Sequence, residues 1–316
     1  MLEFRGVSQW FGQVAALTDV SVKIDGGIVG LVGRNGAGKS TMMNLLAGLL
    51  RPSRGEVLVD GVEPWRADTR RRIGFCPDVD SFYEDLSGHA FVAWLLRLHG
   101  LRAREARELA AHAMDRVGLT DAMHRTIRGY SKGMRQRVKL AQALARDPST
   151  LLLDEPMTGL DPIARHDITA LVVSLHEAGV TVLVSSHVLQ ELEEIAGRVL
   201  LVHQGRLLAD GSVHELRRLL EDRPYRLLIH SPRPRDVAAR LTAVAVVRGL
   251  TLDQEAVEVE TDGGGDLFAT LTELGTEGLI EEVRPLDDDL EAVFAYLVDD
   301  GLLSRWRRER DREARA

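Results

Sequence analysis

The sequence predicts an α/β fold followed by a smaller α+β unit. Three observations carry this. Short apolar runs alternate with helix-patterned segments over roughly the first two thirds of the chain. One of those runs ends in a glycine loop that opens a helix. Beyond the break at Asp222-Arg223-Pro224 the rhythm becomes strand, helix, two strands, helix, strand.

The elements follow in order. Gly27–Val32 is a short apolar run that leads into Gly33, and Ser40–Leu50 has helical spacing. Arg51–Gly55 breaks that helix, and Glu56–Asp60 reads as a strand with a turn at Asp60-Gly61. Ala90–Leu98 and Ala103–Val117 read as amphipathic helices of an insertion. Leu151–Leu153 and Thr181–Val184 read as buried parallel strands bounded by turn residues. In the tail, Tyr225–His230, Val246–Leu252, Ala256–Glu260 and Ile280–Leu286 have strand character. Pro234–Val244, Asp266–Leu274 and Asp288–Val298 have helix character. The order β-α-β-β-α-β, with a last helix, predicts a ferredoxin-like split unit.

Composition bounds the function. The chain has 316 residues, 45% of them hydrophobic, and a net charge of −8. That length predicts two domains. Charge divides them: residues 1–223 are neutral overall, and residues 224–316, with 12 Arg and 20 acids, carry the whole −8. The last stretch, 301–316, turns basic, with six Arg against three acids. The expected boundaries are 1–222, with a helical insertion at about 78–129, then 223–300 and an Arg-rich tail over 301–316. Mild acidity argues against a general nucleic-acid binder. One cysteine, Cys76, excludes an internal disulfide and a Cys-only zinc site. No run is long and apolar enough to span a bilayer, and the N-terminus lacks signal-peptide character. A cytosolic chain is therefore expected, reaching membranes through a partner.

Two motifs carry chemistry. Gly33-Arg34-Asn35-Gly36-Ala37-Gly38-Lys39-Ser40-Thr41 matches G-x-x-x-x-G-K-[ST], between an apolar strand and a helix. Its glycines let backbone N–H groups turn toward phosphates, and the helix adds its positive end. Lys39 would reach the β- and γ-phosphates and Ser40 would ligate Mg²⁺. Leu151–Glu155 then delivers two carboxylates at a strand end. Asp154 is the candidate Mg²⁺ holder and Glu155 the candidate general base.

With these motifs in place, residues 2 to about 220 resemble the ATP-binding-cassette (ABC) ATPases. The deciding stretch is Tyr130-Ser131-Lys132-Gly133-Met134-Arg135-Gln136-Arg137, which resembles the family signature. Its Lys132 and Met134 depart from Leu-Ser-Gly-Gly-Gln and resemble the export branch that includes antibiotic-resistance pumps. The resemblance implies a P-loop core with an antiparallel β subdomain and a helical insertion. It implies that Ser131 and Gly133 contact the γ-phosphate of ATP held by another subunit, and that His187, in Ser185-Ser186-His187, bonds the γ-phosphate. It also implies that Asp161, in Thr158-Gly159-Leu160-Asp161, belongs to the loop coupling the two sites. Asp161 equally suits a helix N-cap before Pro162. Phe11 is the implied adenine-stacking aromatic, with Trp10 as competitor. Where the family usually has Gln after a strand and proline, this chain has Asp78. It accepts hydrogen bonds but cannot donate as an amide does, and is read as a nucleotide-side or Mg²⁺ ligand.

The implied function is an ATPase powering transport, with export as its expected direction. Its implied cofactors are ATP and Mg²⁺, and its implied partners are a second cassette and a multi-span permease. The implied location is the cytoplasmic face of the membrane. The competing reading, a soluble cassette ATPase acting on nucleic acid or ribosomes, is weakened by the spacing. Lys39 and Asp154 lie too close for a long coiled-coil insertion, and the chain has one P-loop. The acidic tail resembles C-terminal extensions of export-type subunits, through Leu290-Glu291-Ala292-Val293-Phe294, and implies a dimerising or regulatory module. Arg305–Arg315 reads as a solvated helical tail, with contact to anionic headgroups or to the partner as the alternative.

Overall fold

Leu2–Phe11 (β1) and Val14–Ile24 (β2) form an antiparallel hairpin in the computed structural model, and Arg54–Val59 (β4) pairs along the other side of β1. The structure describes residues 1–212, 215, 225–253, 255–262 and 265–285. The chain divides into two units, Met1–Val213 and His214–Ala316.

The first unit is built around Ile28–Val32 (β3), buried at every position. A strand covered on both faces reads as an unbroken apolar run. It lies inside a six-stranded sheet with Ile73–Cys76 (β5), Thr150–Leu153 (β6), Thr181–Ser186 (β7), Arg198–His203 (β8) and Arg206–Gly211 (β9), ordered β5-β6-β7-β3-β8-β9. All neighbours pair parallel except β8 with β9.

Helix α1 (Lys39–Leu46) joins the two sheets. Its Met42, Met43, Leu45 and Leu46 share one core with Leu2, Phe4 and Val57 of the hairpin sheet and Leu31, Leu152 and Leu200 of the parallel sheet. The helix ends earlier than its apolar spacing predicted. The chain unwinds, and the N–H groups of Leu49 and Leu50 both bond the Asn44 carbonyl. A short helix, α2 (Ala67–Arg70), precedes β5.

The insertion contains α3 (Gly88–Leu98) and α4 (Ala103–Arg116) and leads to α5 (Lys132–Leu144). Helix α5 packs closely on β5. A Cβ at Gly74 would stand 2.4 Å from the Ala143 carbonyl oxygen, so glycine is required there. Helices α6 (Pro162–Glu177) and α7 (Leu189–Glu193) follow β6 and β7.

The second unit has strands Tyr225–His230 (β10), Val247–Leu252 (β11), Ala256–Thr261 (β12) and Glu282–Pro285 (β13), ordered β11-β12-β10-β13 and antiparallel throughout. Helices α8 (Pro234–Leu241) and α9 (Gly265–Thr276) supply Val237, Leu241, Leu267 and Leu274 to a core with Ile229, Val257 and Val259. This is the strand order of the predicted split unit. The expected helix over Asp288–Val298 and the Arg305–Arg315 tail lie outside the described residues. Among the described residues, no helix is long and apolar enough to cross a membrane.

Candidate functional site

The loop after β3 is braced from two sides. The Ala37 N–H donates to the Arg34 carbonyl at 3.0 Å, and the Ala37 carbonyl accepts from the Gly205 N–H at 2.9 Å. Gly205, in the turn between β8 and β9, accepts in turn from the Thr18 N–H of β2 at 2.7 Å. Gly38 has a φ of 112°, and a Cβ there would stand 2.8 Å from the Ala16 carbonyl oxygen. Only glycine permits both. Gly33, Ala37, Gly38 and Lys39 are buried, Thr41 is half-buried, and Asn35, Gly36 and Ser40 are exposed.

Lys39 turns its ammonium into this loop. Nζ lies 2.5 Å from the Gly33 carbonyl oxygen and 3.1 Å from Glu155 Oε1. The register of β6 beside β7 sets the acidic end. Leu153 pairs with Val184, so Asp154 and Ser185 emerge side by side. Ser185 Oγ donates to Asp154 Oδ1 at 2.7 Å and accepts from the Glu155 N–H at 2.9 Å. Glu155 has a φ of 49°, a left-handed conformation uncommon for a residue other than glycine.

Glu155 Oε2 accepts from Thr158 Oγ1 at 3.0 Å and from His187 Nδ1 at 2.8 Å. Its Oε1 is buried and has no hydrogen-bond partner among the described residues, although Lys39 pairs with it ionically. Burial pushes the Glu155 carboxyl up and is the largest single influence. The hydrogen bond from His187 and the charge of Lys39 together outweigh it and hold the group below its ordinary value. Glu155 is therefore ionised at neutral pH. An ionised carboxylate only accepts, so His187 Nδ1 carries the proton in this contact.

The other expected residues stand apart from this cluster. Phe11, at the end of β1, is 49% exposed, and its neighbour Trp10 is 41% exposed. Ser131 caps α5, accepting from the Met134 N–H at 3.2 Å, and Gly133 lies half-buried in the first turn. Asp161 caps α6, accepting from the Ala164 N–H at 2.9 Å, with Pro162 at the first helical position. Among the described residues, Phe11, Ser131 and Asp161 share no hydrogen bond or ion pair with the Lys39–Glu155–His187 group. The Asp78 side chain is exposed, while its backbone carbonyl accepts from Lys139 Nζ at 2.7 Å.

Two participants had no role assigned in the sequence reading. Ser185, named there only within the stretch before His187, ties the Asp154 carboxylate to the Glu155 backbone N–H, and the register of β6 against β7 is what places it. Lys139, a lysine on a buried helix face, has no motif to announce it. Among the described residues, no three His, Cys, Asp or Glu side chains converge on a metal position. The donor set is nevertheless one that suits Mg²⁺, which keeps waters and takes phosphate oxygens beside one or two protein ligands. An exposed Ser40 hydroxyl and a buried Asp154 carboxylate are available.

The sequence matches the ABC transporter family over residues 17–158. It is 35% identical over 306 residues to the daunorubicin/doxorubicin resistance ATP-binding protein DrrA of Streptomyces peucetius, a match covering 94% of this chain and 92% of that one. It is 40% identical over 211 residues to an uncharacterized ABC transporter ATP-binding protein of Nostoc, covering 66% of this chain and 63% of that one. A solved ATP-binding cassette, a dimer in a post-hydrolysis state bound to ADP and Pi, superposes with a TM-score of 0.62 at 26% identity. That match covers 67% of this chain and 99% of the cassette. These matches favour the transporter reading over the nucleic-acid one.

Proposed function

Because the chain belongs to the family of ABC transporter ATP-binding proteins, we propose that this ABC-type ATPase uses Mg²⁺-ATP to drive export through a separate membrane-spanning subunit. The observation that carries the reading is Glu155 Oε1. Its sister oxygen is occupied by Thr158 and His187, while Oε1 lies beside Lys39 with no hydrogen bond. A buried, ionised oxygen whose neighbour is the phosphate-loop ammonium suits a base that meets water once phosphate oxygens draw Lys39 away.

The roles follow from that geometry. The Gly33–Gly38 loop and Lys39 bind the triphosphate, whose oxygens compete with Glu155 for the ammonium. Ser40 and Asp154 hold Mg²⁺, which supplies charge neutralisation at the phosphates. Glu155 Oε1 accepts the proton of the attacking water as the new O–P bond forms and ADP leaves. His187 keeps Glu155 oriented through Nδ1. Its Nε2 can donate to a γ-phosphate oxygen only in the imidazolium form, since Nδ1 already holds the first proton. Phe11 stacks on adenine, and the Asp78 carboxylate faces the nucleotide side.

Two cassettes act head to tail, each supplying Ser131 and Gly133 to the other's γ-phosphate, with Asp161 in the loop between sites. The dimeric cassette with ADP and Pi supports this arrangement. An exposed aromatic patch on the insertion supports a permease partner at the cytoplasmic face of the membrane. Tyr83 and Trp94 stack edge to face at 5.1 Å, with Val79 and Leu98 exposed as well. The match to a drug-resistance subunit supports export. Co-purification of the chain from membranes tests the assembly. A multi-span subunit is expected, and recovery with ribosomes or nucleic acid instead would contradict it.

A further inference from the structure

The linker between β5 and α3 is acidic, with Asp78, Asp80, Glu84 and Asp85. Facing it, Arg135 and Lys139 lie one turn apart on α5, and Arg128 lies in the turn just before that helix. The two interlock. Arg128 Nη2 lies 2.7 Å from Asp85 Oδ1, Arg135 Nη1 lies 2.7 Å from Glu84 Oε1, and Lys139 Nζ lies 3.0 Å from Asp80 Oδ1. The backbone joins in: the Ile127 N–H donates to the Leu86 carbonyl and the Arg128 N–H to the Glu84 carbonyl.

The three pairs are not equal. Arg128 and Asp85 are both well exposed, and such pairs contribute little. Lys139 is 5% exposed, and an ammonium is seldom buried unless paired. Nζ donates to the Asp78 carbonyl at 2.7 Å as well as pairing with Asp80, and Gln136, one turn earlier, donates to Cys76 Sγ at 3.5 Å. Burial pushes that thiol up to about 12, so it serves there as a neutral acceptor. The ladder then reaches the acidic strand end, because the Asp154 N–H donates to the Cys76 carbonyl at 2.9 Å.

We infer that Lys139 is a positioning residue, a latch through which α5, headed by Ser131, sets the Pro77–Asp80 segment beside the acidic strand end. The inference rests on the two-cassette ATPase reading above. Movement of the Ser131 end of α5, when it meets nucleotide on the other cassette, is passed two turns down the helix. There Lys139 carries the Asp78 carbonyl and the Asp80 carboxylate with it. The Asp78 side chain stays free to face the nucleotide. The latch thus makes each site's loop position depend on occupancy of the other.

The test uses the full chain with Lys139→Met, Asp80→Asn, Asp80→Glu and the Lys139→Met/Asp80→Asn double variant. Steady-state ATPase against ATP concentration is measured beside nucleotide affinity by equilibrium titration and thermal stability. Wild type should turn over cooperatively. Lys139→Met and Asp80→Asn should bind nucleotide as wild type does, while the Hill coefficient falls from about two toward about one. Asp80→Glu should restore cooperativity, and the double variant should lose no more than either single one. Cooperativity retained in both single variants overturns the inference, as does Asp80→Glu behaving like Asp80→Asn. If Lys139→Met fails to fold, Asp80→Asn decides alone, since Asp80 is 45% exposed. A wild-type chain that binds or cleaves no ATP would instead overturn the functional reading beneath it.

Discussion

Lys39 and Glu155 are each held by more than one contact, and this makes their substitutions informative. Lys39→Ala removes the only ammonium facing the loop among the described residues, and should weaken nucleotide binding by at least about tenfold, read by equilibrium titration. Glu155→Gln keeps the shape but loses the base, so ATP should still bind while turnover falls by about 10²–10⁴. Unchanged turnover would remove Glu155 from that role. The sign of the pH effect follows from what holds Glu155 down. His187 lowers its carboxyl, so His187→Ala should raise it, and the acid limb of the rate profile should move to higher pH. An acid limb that stays in place would contradict that coupling. In the wild type the depressed carboxyl adds stability at neutral pH, which is lost as pH falls through its folded value. Asp78→Asn tests the remaining assignment. A change in Mg²⁺ dependence supports a ligand role, and an unchanged rate and Mg²⁺ dependence remove it.

Among the elements, α5 and α1 separate function from stability. Ser131→Ala deletes the α5 cap and should cost about 1 kcal/mol of stability. If Ser131 also meets the partner's nucleotide, activity should fall about a hundredfold, far beyond what the lost cap explains. Leu45→Ala on α1 should cost about 2–5 kcal/mol, because its side chain is fully buried between the two sheets. Thermal or denaturant unfolding measures both.

Legibility also varied by element. β3 and β6 were readable because strands buried on both faces are continuous apolar runs. β1 and β2 were not individually readable, since register shifts between Phe4 and Val7 and again near Gln9 break the alternation. β8 and β9 went unread although Gln204-Gly205 between them is a two-residue turn, both residues taking positive φ. At the site, Lys39, Asp154 and Glu155 could be read from spacing alone. Ser185 and Lys139 act through partners distant in sequence, and only the fold places those partners, whereas Thr158 reaches Glu155 only three residues back, in the turn after β6.

On the scale of the whole molecule, the chain divides into two units, and the second carries the net negative charge. The first holds the phosphate loop and carboxylates. The second has a core of its own, and we propose that it acts in dimerisation or regulation. Deleting residues 224–316 should leave nucleotide affinity intact while changing dimer affinity or ATPase rate, measured by sedimentation and turnover. No change in either would remove that role. The central claim is that one cassette grips the triphosphate while its neighbour completes the site. A crystal structure of the full chain with a slowly hydrolysed ATP analogue and Mg²⁺ tests it most directly. It should show two chains head to tail, with Ser131 of each within hydrogen-bonding distance of the γ-phosphate bound at the other's Lys39. Ser131 lying remote from every γ-phosphate would contradict the account.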